Sequence, residues 1–177
     1  MSAPAPAPAS ASASAAPLQT IVFGIGEELF ALPIAVVREI LDHTNAFRVP
    51  NAPDWLIGLC DVRGLSVPLV DFRTCLGLPT VPPTVATRVL VVEAVTAADR
   101  PLVIGLVVDR VLDVSTWAAE AIEAVPDTGT AWHSRYVVSV LRREGGFVGL
   151  LDLRGVLDGM EAVLTQSTAP GASVVAT

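Results

Sequence analysis

The stretch NAPDWLIGLCDVRGLSVPLVDFR, residues 51–73, holds the main clue to the architecture of this chain. Two apolar runs, Gly58–Val62 and Leu65–Asp71, flank Arg63-Gly64. Glycine takes a positive φ without a steric penalty, so Gly64 permits a tight turn between two strands. Arg63 then stands at a strand end, where its guanidinium stays hydrated or meets a carboxylate bidentately. In a purely structural role its partner would be Asp61 or Glu39. Upstream, Pro50 and Pro53 bracket a turn, and Asp54 is placed to cap a short helix through Ile57. Downstream, Phe72–Leu76 reads as a short helix ended by Gly77.

On either side of this stretch the same pattern of short apolar runs recurs. Thr20–Gly26 and Glu28–Pro33 are split by a Gly-Glu-Glu turn and read as a hairpin. Ile34–Glu39 is compatible with one helical turn or with a continued strand. Residues 78–87, LPTVPPTVAT, read as a crossover loop. Arg88–Ala94, Leu102–Asp109 and Val111–Ser115 read as strands, and Ala118–Ala124 as a helical turn or a strand. Pro126–Ser134 reads as loop. Val137–Arg142 and Gly146–Leu153 form a last hairpin around Arg143-Glu144-Gly145. Arg154–Leu164 shows apolar residues at helical spacing.

Many short strands punctuated by Gly and Pro, with no long helices between them, predict an all-β barrel or sandwich with a few short helices. A doubly wound parallel sheet is not expected. The segment Val67–Arg73 is echoed by Val148–Arg154, half of the folded length further on: both end in apolar-Asp-apolar-Arg. Two similar units are expected, one over about residues 18–80 and the other over about 86–155, with a C-terminal helix over about 154–164. Residues 1–17 contain only Met, Ser, Ala and Pro and read as a disordered tail, as does 165–177.

The chain is 52% hydrophobic and carries a net charge of −7. That balance argues against a nucleic-acid footprint and against an anionic membrane surface. All 11 basic residues are arginine. Without lysine there is no P-loop lysine and no Schiff-base lysine. The first tail lacks the basic and apolar regions of a signal peptide, and no uninterrupted apolar run is long enough to span a bilayer, so the cytoplasm is expected and membrane insertion is not. Cys60 and Cys75 are not at metal-ligand spacing, and His43 and His133 stand apart from them. Gly24-Ile25-Gly26 lacks the third glycine of a nucleotide loop. No catalytic, metal or cofactor site is expected. The alternative enzyme reading is a thiol hydrolase pairing Cys60 or Cys75 with His43 or His133.

The residues carry a resemblance that spans nearly all of the folded part. Phe23-x-Ile25 with Phe30-Ala-Leu-Pro-Ile34, Val37-Arg-Glu-Ile40, Val49-Pro-Asn-Ala-Pro53, Trp55-Leu-Ile-Gly58, Asp61-Val-Arg-Gly64, Val67-Pro-Leu-Val-Asp71, Gly105-Leu-Val-Val-Asp109-x-Val111 and Gly149-Leu-Leu-Asp-Leu153 follow in order. Together they resemble the CheW-like domain family. The departures are Cys60-Asp61-Val62, where the family has an Asn-Leu-like pair before the Arg, and the Ala/Pro/Ser tail.

The resemblance implies two small five-stranded SH3-like β-barrel subdomains packed together. It implies a non-catalytic adaptor without cofactor, joining the cytoplasmic tips of chemoreceptors to the regulatory domain of a CheA-type histidine kinase. Such a protein is cytoplasmic and recruited to membrane-bound receptor arrays. By motif match, Val37, Glu39, Gly58, Arg63 and Gly64 would line a groove that takes the receptor's helical hairpin. Pro68 and its neighbours are candidates for the kinase contact. A CheW-like adaptor of twitching motility or surface sensing is the alternative pathway.

Overall fold

The most apolar of the runs predicted as strands have two faces to hide, and the arrangement of the strands shows how. The computed structural model describes residues 16–126 and 135–160. Among these, the strands are β1 (Leu18–Ile25), β2 (Glu28–Pro33), β3 (Val37–Asp42), β4 (Leu56–Val62), β5 (Leu65–Asp71), β6 (Arg88–Val95), β7 (Pro101–Val108), β8 (Arg110–Trp117), β9 (Ile122–Glu123), β10 (Val137–Arg143) and β11 (Gly146–Leu151). Two short helices, α1 (Phe72–Cys75) and α2 (Leu153–Asp158), follow β5 and β11. Residues 1–15 and 165–177 of the expected tails, residues 127–134 of the expected loop with His133, and the end of the expected C-terminal helix lie outside the described residues. No described helix is long and apolar enough to cross a membrane.

The strands form two sheets, a six-stranded one in the order β8-β1-β2-β11-β10-β9 and a five-stranded one in the order β3-β6-β7-β5-β4. The largest core cluster lies between them. It takes Ile21, Phe23 and Phe30 from the first sheet and Leu90, Ile104 and Leu106 from the second. Each sheet also buries its opposite face in a cluster of its own. Alternate residues of β6 therefore go different ways: Leu90 and Val92 into the shared core, Val89 and Val91 against Cys60 and Leu69. In β1 the shared core takes Ile21 and Phe23, while Val22 packs with Trp117 and Leu141. Burial on both faces explains why these strands read as continuous apolar runs instead of strict alternation.

Each sheet is drawn round its private cluster by the chain that leaves its outer strand. After β3, Phe47 bridges to β4 at the far side of the five-stranded sheet. Its N–H donates to the Leu59 carbonyl at 2.7 Å, and its own carbonyl accepts from Leu59 N–H at 2.8 Å. After β8, a 3-10 turn over Ala119–Ala121 leads into β9, which pairs with β10 through Leu141–Ile122 and Val140–Glu123. The all-β reading with two subdomains therefore holds, with the two-residue β9 as a sixth strand in one of them.

Two local readings are corrected and one open alternative is resolved. The sheets do not divide at residues 80–86. The opening hairpin β1–β2 lies beside β8 and β11, and β6–β7 lies between β3 and β5. The sequence echo is real, because β5–α1 and β11–α2 hold equivalent places, each last strand pairing in parallel with the second strand of the other half. What the echo cannot show is that the halves exchange their first two strands. Asp54 caps no helix: Leu56 N–H donates back to the Pro53 carbonyl at 2.9 Å in a single turn, and β4 starts there. A helix through Ile57 would take Leu56 and Gly58 out of the ladder with β5. Ile34–Glu39 is both things in succession, a 3-10 turn over Ile34–Val36 and then β3.

Candidate functional site

The hairpin between β4 and β5 turns on two residues only, Arg63 and Gly64, with Val62 paired to Leu65. Arg63 has φ 53° and Gly64 φ 84°. Two central residues at positive φ match the twist of the flanking strands and give the tightest antiparallel connection. The expectation placed only Gly64 in this region; Arg63 shares it. Asp61 holds the turn from within, its Oδ1 accepting from Gly64 N–H at 2.9 Å. The signal for this was the Asp-x-x-Gly spacing, since short acids bond to backbone N–H groups a few residues ahead.

Glu39, on β3, supplies the partner for Arg63. The Arg63 Nε donates to Oε1 at 3.1 Å, and Nη2 donates to Oε2 at 3.2 Å. β3 and β4 are the two outer strands of the five-stranded sheet, so this forked pair ties its margins together. The exposure is uneven: the Glu39 side chain is 22% exposed and that of Arg63 81%. The carboxylate is the anchor, and the guanidinium rides above it. The hydrogen bond to Glu39, then its charge, holds the Arg63 guanidinium above its ordinary value. Nη1 makes no hydrogen bond among the described residues and remains as an outward donor.

Val37 lies two residues before Glu39 and packs against the shared core. A register shift between Val37 and Glu39 turns Arg38 outward to Glu93, Nε to Oε2 at 2.6 Å. Gly58 has a different role. A Cβ there would lie 2.2 Å from the Phe47 carbonyl oxygen, so its small size permits the Phe47–Leu59 bridge. Glu39, Arg63 and Gly64 thus come together, Val37 sits beside them on β3, and Gly58 supports the sheet closure from the other end of β4. Pro68, by contrast, is buried in β5 opposite Leu59, with β5 lying between β4 and β7. Its missing N–H is tolerated because the ladder to β7 begins one residue later, at Leu69 and Gly105. Pro68 is not placed for a direct surface contact.

Several exposed apolar side chains surround these elements in sequence: Ile40 on β3, Leu65 beside Gly64, and Phe47, which is 75% exposed.

The groups that an enzyme reading needs are differently employed. Burial pushes the Cys60 thiol up, and burial followed by the charge of Asp71 pushes Cys75 up to about 12. Both shifts disfavour the thiolate that a nucleophile requires. His43 lines a surface recess with Asp71, Arg73 and Asp109. The charges there are committed to structure. Asp109 is ion-paired with Arg73 and accepts from Gly26 N–H at 2.7 Å. Arg73 also donates through Nε to the Pro79 carbonyl at 2.9 Å. No described group of three His, Cys, Asp or Glu side chains is placed to hold a metal ion.

Known proteins resemble this chain in sequence and in fold. "Chemotaxis protein CheW" of Rhizobium meliloti (strain 1021) is 32% identical over 143 residues, 81% of this chain and 89% of that protein. "Protein PilI" of Pseudomonas aeruginosa is 29% identical over 123 residues, 69% of this chain and 66% of that protein. The crystal structure of "scaffolding protein TtCheW" from Thermoanaerobacter tengcongensis superposes with a TM-score of 0.69 at 24% identity, over 78% of this chain and 90% of that one, and shows the same fold. The family model described as "CheW-like domain" matches residues 19–161. With the described fold lying almost wholly inside that match, the chain belongs to the CheW-like domain family.

Proposed function

We propose that this chain is a non-catalytic adaptor that couples the cytoplasmic tips of chemoreceptors to the regulatory domain of a CheA-type histidine kinase. The observation that carries the reading is the Arg63–Glu39 pair in a chain of this family. A guanidinium at a hairpin tip is anchored on one side and open on the other, and the exposed Leu65 follows the turn in sequence. A helical receptor tip offers the matching chemistry, an apolar stripe flanked by carboxylates or carbonyls. Val37, Glu39, Gly58, Arg63 and Gly64 form the receptor-facing group: Arg63 and Glu39 set the register of docking, and the two glycines hold the hairpin in shape. A rim charge of this kind fixes orientation more than it adds affinity. Low thiolate character at both cysteines supports the absence of catalysis. The adaptor works in the cytoplasm, recruited to membrane-bound receptor arrays, without inserting into the bilayer.

The likeness to Protein PilI, a relative not named for chemotaxis, favours a second reading of the pathway: the same adaptor chemistry serving twitching motility or surface sensing. Co-sedimentation with receptor fragments and a CheA-type kinase, with kinase activity as readout, tests the adaptor reading. Recruitment of kinase to receptors by this chain is expected. A kinase whose activity and sedimentation ignore it would refute the proposal. Repeating the assay with receptors of the two kinds of pathway separates the readings.

A further inference from the structure

The exchange of strands between the sheets has a consequence for what this chain can bind. Residues 18–76 hold β1 to β5 and α1, and residues 88–158 hold β6 to β11 and α2. Within the first half only β1–β2 and β4–β5 are paired, and β3 has its ladder with β6. Within the second half β6–β7, β10–β11 and β9–β10 are paired, and β8 has its ladder with β1. The remaining ladders, β2–β11 and β5–β7, also run between the halves. The first half alone would keep two isolated hairpins, and the second a hairpin and β11-β10 edged by the two-residue β9; pieces this small are marginal in water.

Side chains follow the same division. Trp117 Nε1 donates to Thr20 Oγ1 at 2.8 Å in a buried bond. Asp109 of the second half holds Gly26 and Arg73 of the first, and Arg110 donates to the Gly26 carbonyl at 2.7 Å. The rings of Phe23, Phe30 and Phe72, all in the first half, sit in a core that also takes Leu90, Ile104 and Leu106 from the second. The halves are joined covalently by the segment between Leu76 and Arg88, exposed from Pro79 to Ala86, which reaches about 36 Å when extended. None of the ladders between the halves requires that link.

We infer that residues 18–76 and 88–158 are obligate binding partners of each other, and that a second copy of this chain can supply either half. The interface is the set of four inter-half ladders and the shared core, and its partner is the complementary half of a like chain. Exchange through an exposed hinge is the ordinary route by which such a fold forms reciprocal dimers. This pairing is independent of the adaptor role, because it uses neither receptor nor kinase.

The test starts from the full chain carrying a protease site after Pro82. Isotope-labelled and unlabelled protein are cut while folded, mixed in urea, and returned to buffer. Before urea, the cut protein should run as one particle with the parent's circular dichroism. After refolding, native mass spectrometry should find labelled halves joined to unlabelled ones in statistical proportion. In parallel, each half purified in urea and returned to buffer alone should show no cooperative unfolding transition. The inference is overturned if the cut protein falls apart without denaturant, if a lone half unfolds cooperatively, or if no hybrid particle forms.

Discussion

Arg63 combines a demanding backbone with an exposed head, and the two can be tested separately. Arginine and alanine are both L-residues at φ 53°, so Arg63→Ala does not change the backbone problem. The pair it removes is exposed on the arginine side and adds little to stability. Arg63→Ala should leave the unfolding midpoint near that of the parent and weaken receptor co-sedimentation. Normal ternary complexes with this variant would remove Arg63 from the proposed contact. At Gly64 the space is open, with no atom within 4 Å of where a Cβ would stand, but φ is 84°. Gly64→Val should therefore cost about 1–3 kcal/mol through backbone strain alone, read as a shift in urea midpoint, while Gly64→Asn should cost less because Asn tolerates this region. Gly58→Ala fails for the other reason. Its Cβ meets backbone at 2.2 Å, so the Phe47 bridge must move.

Cys75 makes a residue-scale prediction about pH. Its thiol sits at about 12 in the fold, against about 8.5 in an unfolded chain. The folded state therefore holds the proton that the unfolded state loses. The stabilisation is complete below about pH 8.5 and is lost as pH rises towards about 12. The parent's stability should fall more steeply over that interval than that of Cys75→Ala, measured by urea unfolding at each pH. Parallel slopes would show that the thiol does not contribute.

Among the elements, the echoed Asp-apolar-Arg segments are the same device used twice. Asp71 accepts from Arg73 N–H at 3.0 Å to start α1, and Asp152 accepts from Arg154 N–H at 3.0 Å to start α2. Asp71 also accepts from Thr74 Oγ1 at 3.0 Å. Replacing an N-cap acid by Ala costs about 1 kcal/mol. Asp71→Ala should exceed Asp152→Ala in chemical denaturation, because it loses the extra hydroxyl bond. The two copies are not identical in their surroundings. Arg73 pairs with Asp109 where the chain crosses from β7 to β8, while the Arg154 side chain is exposed. Hairpins and helix starts were legible in the sequence because they depend on turn residues and caps a few positions apart. The false helix at Asp54 shows the limit. A local cap signal lost to the need for Leu56 in a ladder with Val70.

For the whole molecule, the three phenylalanines at the centre show how the two sheets become one body. Phe23 and Phe30 lie 6.1 Å apart, and Phe72 meets them edge-on at 6.1 and 5.9 Å. Phe72→Ala should cost about 3–5 kcal/mol. Because the shared core joins both sheets, the loss should lower a single transition seen alike by fluorescence and by circular dichroism. Two separated transitions would mean that the sheets unfold independently. The all-β class, the short strands, the repeat, the Arg63-Gly64 turn and the family resemblance were all readable from the linear order of residues. They follow from residue type and near-neighbour spacing. Three facts needed the folded chain: which carboxylate meets Arg63, that Pro68 is buried, and that each sheet takes its first two strands from the other half. Those depend on ladders between distant segments, where several pairings satisfy the same apolar pattern and the choice falls to whichever buries both faces of inner strands such as β1 and β6 at once.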